Sequence, residues 1–356
     1  MIDAPHVAAL VRRARSRFGI PAVAVAILGS AGVTVEWIEG ERVQGRGDAA
    51  TLDDFFHIGS CSKSVLAVMA ARLVEEGRIA WDARLFEVVP ELAVGAHEAY
   101  GGVTLEDLFL CEAGVQPFTD GAKEPLPVYD AADGDPRWSF ARDLVARPPA
   151  SKRKAGRFVH LYSNASYTLA ALMLERVSGL RYEEHVRRTL VDAWGLAVHV
   201  GWPHAAGADQ PWGHMLGTKA VTTFGPEHPY RIPELLTPAG DLSMTPRGFA
   251  AYIREHLRGL RGVDGHLTSA SYGRIHFARR GFSLGVANGV LGGKRYSGLD
   301  GSAGTFFCRA VLVPEEDVAL TVMTNAGSGS GSMRAVDWLT LAIVKRRFGW
   351  WWRFWL

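Results

Sequence analysis

The β-branched runs of this chain sit near its two ends, and that placement constrains the fold more than any other feature. Ala22–Leu28 and Val33–Ile38 flank the turn residues Gly29 to Gly32 and read as a hairpin. The other strand signals, Phe282–Ala287, Thr305–Val313 and Val318–Thr324, come near the C-terminus, divided by turn formers such as Gly292-Gly293 and Pro314–Asp317. Residues 6–18 put Val7, Leu10, Val11 and Ala14 on one helical face, and a last helix is predicted from Met333 to Arg346. The middle of the chain reads as helical. Val65, Leu66, Val68, Met69, Leu73 and Val74 form a stripe closed by Gly77 in a C-cap role. Tyr167–Val177, Tyr182–Leu190 and Arg247–Leu257 follow the same period. The expectation is an α+β fold whose sheet is built from both chain ends and flanked by terminal helices, with a mostly helical lobe inserted. As a single domain over 1–356, the lobes fall at about 1–58 with 276–347 and at about 59–275, followed by an aromatic tail, 348–356. Two long loop-like stretches, Gly114–Pro136 and Gly201–Pro238, are of the kind that often carries function.

Several function classes drop out early. Lys plus Arg is 39 against 37 for Asp plus Glu, so no concentrated basic charge calls for a nucleic-acid partner. Cys61, Cys111 and Cys308 form neither a disulfide framework nor a Cys-x-x-Cys zinc site. The histidines include no His-Glu-x-x-His or His-x-His, so no metal or other cofactor is expected. Gly293-Lys294 lacks the glycines of a phosphate loop. The N-terminal arginines Arg12, Arg13, Arg15 and Arg17 follow the apolar stretch, unlike a secretory leader, and the Ala22–Leu28 run is too short to span a bilayer. A cytoplasmic location is therefore expected. In the tail, Trp350, Trp351, Trp352, Phe354 and Trp355 interleave with Arg346, Arg347 and Arg353. That suits folding back on the protein or a homodimer contact better than a membrane interface.

Chemistry concentrates at Phe56–Leu66. Ser60 follows Gly59 at a predicted helix start, and Lys63 lies three residues on, on the same helical face. The helix dipole and partial desolvation favour a neutral amine there, able to take the serine proton. A serine in that place is ordinarily an N-cap, and a second Ser-x-x-Lys, Ser151 to Lys154, reads as a solvated basic loop. Its downstream company distinguishes the first: Tyr162-Ser163-Asn164 before a helix, then Leu299-Asp300-Gly301-Ser302 leading into a strand.

In that order the three motifs resemble those of the penicillin-recognising serine hydrolases, and most of all the class C β-lactamase branch with its β-lactamase-like esterases. That family carries Ser-x-x-Lys, Tyr-x-Asn and Lys-Thr-Gly or His-x-Gly. Gly19–Ala26, Thr104–Gly114 and Pro238–Thr245 resemble further family segments, so the likeness extends from about Arg17 to Asn325. It implies the β-lactamase/transpeptidase-like fold with an antiparallel sheet. It also implies Ser60 as an acylated nucleophile, with Lys63 and Tyr162 sharing the proton transfers and Asn164 bonding Lys63 and substrate. The backbone N–H groups of Ser60 and Ser302 would form the oxyanion hole, with Gly301 keeping the strand edge open.

One departure narrows the substrate. Leu299 stands where the family has Lys or His, and a leucine cannot pair with an antibiotic's carboxylate. Lys294, Arg295 and Arg309 are the nearby cations that could replace it. The expected substrate is a neutral, small-molecule ester or amide, with Thr119–Pro136 and Trp202–Tyr230 as candidate pocket walls. The alternatives are a β-lactamase or D-amino-acid peptidase of the same fold, and a non-catalytic binding protein on this scaffold. Cys61 reads as a small buried residue, since it has no histidine partner.

Overall fold

Both ends of the chain enter one sheet in the computed structural model, which describes residues 3–130, 134–217 and 220–348. The sheet has six antiparallel strands, ordered Ala287–Leu291, Lys294–Ser302, Phe307–Val313, Val318–Thr324, Ala22–Gly29 and Gly32–Gly40. The first of these strands in the chain and the last thus pair inside the sheet, Val23 with Thr324 and Leu28 with Ala319.

Alternation along these strands divides the apolar residues between two cores, because successive side chains point to opposite faces. Val23, Val25 and Ile27 face the terminal helices Ala4–Phe18 and Ser330–Phe348, together with Val318, Leu320 and Val322. Ala22, Ala24, Ala26 and Leu28 face the larger core, which takes in the helices of the inserted segment. The helix Pro246–Leu260 packs directly on that face through Phe249, Ile253 and Leu257. Alanines on the facing strand leave it room.

The helices Ser62–Glu75, Asn164–Ser178 and Pro246–Leu260 fall where the sequence places them. Three expectations need correction. Phe282–Ala287 is no strand: the strand starts at Ala287, and Leu284 and Val286 are buried beneath the helix Ser269–Phe277. Their apolar character serves packing. Conversely Lys294–Ser302 is a strand that hydrophobicity does not announce, since only Ser297, Leu299 and Gly301 point inward. The Tyr182–Leu190 helix also changes pitch, running as α-helix to Val186 and as a wider π-helix over Arg187–Ala193.

A small second sheet matters for the site. It joins Phe56–His57, Leu242–Met244 and Val198–Val200, so the residues just before Ser60 are paired with those just after Asp241. The long stretch Gly201–Pro238 contains a hairpin, Gly213–Leu216 with Val221–Phe224. The tail beyond Phe348 lies outside the described residues. Among the described residues no helix is long and apolar enough to cross a membrane.

Candidate active site

Ser60 occupies a single 3-10 turn, Gly59–Cys61, that runs straight into the helix Ser62–Glu75. Lys63, one turn in, is fully buried, while Ser60 is half-buried at the floor of a cavity of about 590 Å3. Lys63 Nζ lies 3.2 Å from Ser60 Oγ, 2.7 Å from Asn164 Oδ1 and 2.8 Å from the Ala239 carbonyl oxygen. The amide of Asn164 is not free to turn over, because its Nδ2 donates to the Phe118 carbonyl at 2.8 Å. Its oxygen is therefore the atom presented to Lys63.

That arrangement decides what a neutral amine at Lys63 can do. Asn164 Oδ1 and the Ala239 carbonyl only accept, so together they take both N–H bonds of an –NH2 group. The lone pair is then left facing Ser60 Oγ. The aromatic rings of Tyr162 and Tyr167 flank Nζ, with centroids 4.9 Å and 5.2 Å away.

Tyr162 comes from the loop before the helix Asn164–Ser178, whose N-cap is Ser163. The loop is held by Leu161 N–H donating to the Cys111 carbonyl, Ser163 Oγ to the Gln116 carbonyl and Asn164 N–H to the Pro117 carbonyl. Tyr162 is half-buried, lines the same cavity as Ser60 and packs edge-on against Phe282. The hydrogen bonds of Lys63 go to Ser60, Asn164 and Ala239, not to the Tyr162 phenol.

Gly301 and Ser302 lie against the turn that carries Ser60. A Cβ at Gly301 would overlap the Ile58 carbonyl oxygen and stand 2.9 Å from Cys61 N. One at Gly59, where φ is +51°, would stand 2.5 Å from Ser302 N. Only glycine at both positions lets the two backbones come this close. The strand Lys294–Ser302 is internal to the sheet, yet its neighbour Ala287–Leu291 reaches only as far as Gly298. Residues 299–302 are thus uncovered on the side that meets the turn. Ser302 lines the cavity, its hydroxyl 2.7 Å from Ser328 Oγ.

Leu299 does not reach the cavity. It is 2% exposed and points into the larger core. None of the three candidate replacements lines the cavity either. Arg309 is held by Asp300 and Asp337, Arg295 by Glu315 and Lys294 by Glu316. The charged residues among the described lining are Glu124 and Arg231. Arg231 is committed to the carbonyls of Pro226, His228 and Tyr230 and to His204 Nε2.

Both long loops contribute walls, in part where expected. Thr119, Gly121, Glu124 and Leu126 lie in the first expected wall and Tyr230 in the second, joined by Phe118, Ile232 and Leu236 from the same loops outside those spans. Trp202 sits behind the wall instead, packed on His57 at 4.9 Å between ring centroids. Lys154 is exposed on a small surface hairpin and does not line the cavity. The three cysteines are free and buried, and burial pushes the Cys111 thiol up to about 11.

Sequence reasoning missed Ala239, whose contribution is a backbone carbonyl that no residue type signals. It also missed His57 and Asp241, bonded to each other at 2.9 Å behind Ser60. The traces they leave are the proximity of His57 to Ser60 in the chain and the place of Asp241 within the Pro238–Thr245 segment.

The model of the family described as Beta-lactamase matches residues 7–345. A relative, penicillin-binding protein 4 of Amycolatopsis lactamdurans, is 24% identical over 327 residues, covering 88% of this chain and 83% of its own. The octameric penicillin-binding protein homologue from Pyrococcus abyssi superposes with a TM-score of 0.78 at 20% identity, over 98% of this chain and 78% of that one. The class C β-lactamase from Rhodobacter sphaeroides gives 0.72 at 19% identity, over 95% and 99%.

Proposed function

The chain belongs to the beta-lactamase family of hydrolases, and from that premise we propose that it cleaves a neutral carboxylic ester or amide through an acyl-Ser60 intermediate. The observation that carries this reading is the bonding of Lys63 Nζ to Asn164 Oδ1 and the Ala239 carbonyl, with Ser60 Oγ 3.2 Å away. The neutral amine accepts the Ser60 proton as Oγ attacks the substrate's carbonyl carbon. The N–H groups of Ser60 and Ser302 receive the negative charge that develops on the carbonyl oxygen, a contribution of about 3 kcal/mol per donor in comparable sites. Collapse breaks the bond to the alkoxide or amine, which leaves with a proton supplied from Lys63 or Tyr162. Water then attacks the acyl carbon with the same groups acting in reverse, releasing the carboxylic acid and restoring Ser60.

The neutral-substrate preference rests on the walls. Phe118, Leu126, Ile232 and Leu236 offer apolar surface, Leu299 is turned into the core, and the guanidinium of Arg231 is occupied by its own loop. An anionic group has no free cation waiting among the described lining residues. This favours an ester or amide over a β-lactam carboxylate or a peptide C-terminus.

Hydrolysis of p-nitrophenyl butyrate by the wild type and by Ser60→Ala tests the proposal. The expected result is turnover by the wild type and near-complete loss in the variant, with nitrocefin turned over more slowly than the ester. Equal ester rates in the two proteins refute the acyl-serine assignment.

A further inference from the structure

Behind Ser60 a buried histidine joins the two backbone segments on which the reacting groups depend. His57 is fully buried at the end of the short strand Phe56–His57. Its Nδ1 accepts the Gly59 N–H at 3.0 Å. A backbone N–H can only donate, so Nδ1 carries no proton, and Nε2–H donates to Asp241 Oδ1 at 2.9 Å. The two bonds fix one tautomer and one ring orientation. Trp202 and Phe306 pack around the ring, with centroids 4.9 Å and 6.4 Å away.

Each end of this relay borders the chemistry. Gly59 precedes Ser60 and touches the Ser302 backbone, so its position sets that of the Ser60 N–H and hydroxyl. Asp241 follows the helical turn Thr237–Gly240, which supplies the Ala239 carbonyl to Lys63. Asp241 is itself pinned, its N–H donating to the Thr237 carbonyl and its own carbonyl accepting from Gly201. Its side chain is mostly buried, 13% exposed, and has no Lys or Arg partner among the described residues. Unlike Asp54, which is clamped by Arg42, it has His57 as its hydrogen-bond donor.

We infer that His57 and Asp241 are a positioning pair: they hold the Ser60 turn in register with the carbonyl that orients Lys63. The inference rests on the acyl-serine reading. Without the carboxylate, Nε2–H is a buried donor with nothing to bond, and the ring is tethered by the Gly59 bond alone. The ring is then free to turn towards another acceptor, and the Gly59 turn that it holds shifts with it.

Three variants and two readouts test the pair. In Asp241→Ala, kcat for p-nitrophenyl butyrate falls about 10- to 100-fold, the range for a small displacement of reacting groups. KM stays within about twofold, because Phe118, Leu126 and Ile232 are not moved. Asp241→Asn, whose amide oxygen still accepts from Nε2–H, restores kcat to within about fivefold of the wild type. His57→Phe keeps the aromatic packing, removes both bonds and repeats the loss, which keeps the test available should Asp241→Ala not fold. The second readout needs no turnover: imidazole 15N and Nε2–H proton shifts report a hydrogen-bonded Nε2–H in the wild type and Asp241→Asn, and loss of that bond in Asp241→Ala. A folded Asp241→Ala or His57→Phe with wild-type kcat overturns the pairing's role while leaving the acyl-serine reading intact. A wild type that shows the Nε2–H tautomer yet does not hydrolyse the ester overturns that reading, and this role with it.

Discussion

Gly301→Ala isolates the contact between the motif strand and the Ser60 turn. The added Cβ would overlap the Ile58 carbonyl oxygen and lie 2.9 Å from Cys61 N, backbone atoms that no rotamer change can move aside. Restoring an ordinary carbon–oxygen contact of about 3.3 Å requires the strand and turn to part by roughly 1 Å or more. Oxyanion donors act at about 2.7–3.1 Å, so a retreat of that size forfeits the Ser302 N–H. At about 3 kcal/mol the loss corresponds to roughly 100- to 200-fold in kcat. The strain itself destabilises the fold by about 1–3 kcal/mol, a range that leaves the protein folded at assay temperature. Gly298→Ala is the control on the same strand, since its Cβ would meet only the Ala310 carbonyl at 3.9 Å. Steady-state hydrolysis of p-nitrophenyl butyrate, with thermal unfolding of all three proteins, gives the comparison. A folded Gly301→Ala enzyme within threefold of wild-type kcat refutes the claim that this backbone contact builds the oxyanion site.

Three further outcomes are expected. Asn164→Asp puts an acceptor-only carboxylate opposite the Phe118 carbonyl and a negative charge beside Lys63 Nζ. The amine is then held as ammonium and kcat drops about 100-fold, measured with the same ester; an unchanged rate rejects Lys63 as a neutral proton acceptor. Leu299→Lys buries a cation at a position 2% exposed, so the melting temperature falls and nitrocefin turnover does not rise. A stable variant with faster nitrocefin hydrolysis contradicts the inward orientation of residue 299. Stability also declines on acidification. Burial pushes His185 down to about 4 and His276 to about 3, while both titrate near 6.5 when unfolded. The unfolded chain therefore binds more protons between those values. This contribution to stability is complete above about pH 6.5 and is lost as pH falls towards 4 for His185 and 3 for His276, each group costing up to about 1.4 kcal/mol per pH unit. Urea midpoints at pH 7.5, 6 and 5 measure it, and a midpoint that stays level rejects neutral burial of these histidines.

Legibility in the sequence followed the range of the interactions involved. The helices Ser62–Glu75 and Asn164–Ser178 and the hairpin around Ser30 are recorded by local period and turn chemistry. The strand Lys294–Ser302 is not, because its inward positions include Ser297 and Gly301, suited to close approach and not to hydrophobicity. Apolar residues misled in the opposite direction at Leu284 and Val286, which pack beneath a helix instead of extending a strand.

For the candidate site, sequence alone supplied the proposed residues and their order: a serine and a lysine one helical turn apart, then a tyrosine and asparagine, then a glycine strand. Tertiary structure decided the rest. It turned Leu299 into the core, occupied Arg309, Arg295 and Lys294 with carboxylates, and brought the Ala239 carbonyl to Lys63. It also joined His57 to Asp241 across 184 residues of chain. A helical period constrains partners three or four positions apart, whereas a hydrogen bond closed by the folding of distant segments leaves no periodic trace in the residues that make it.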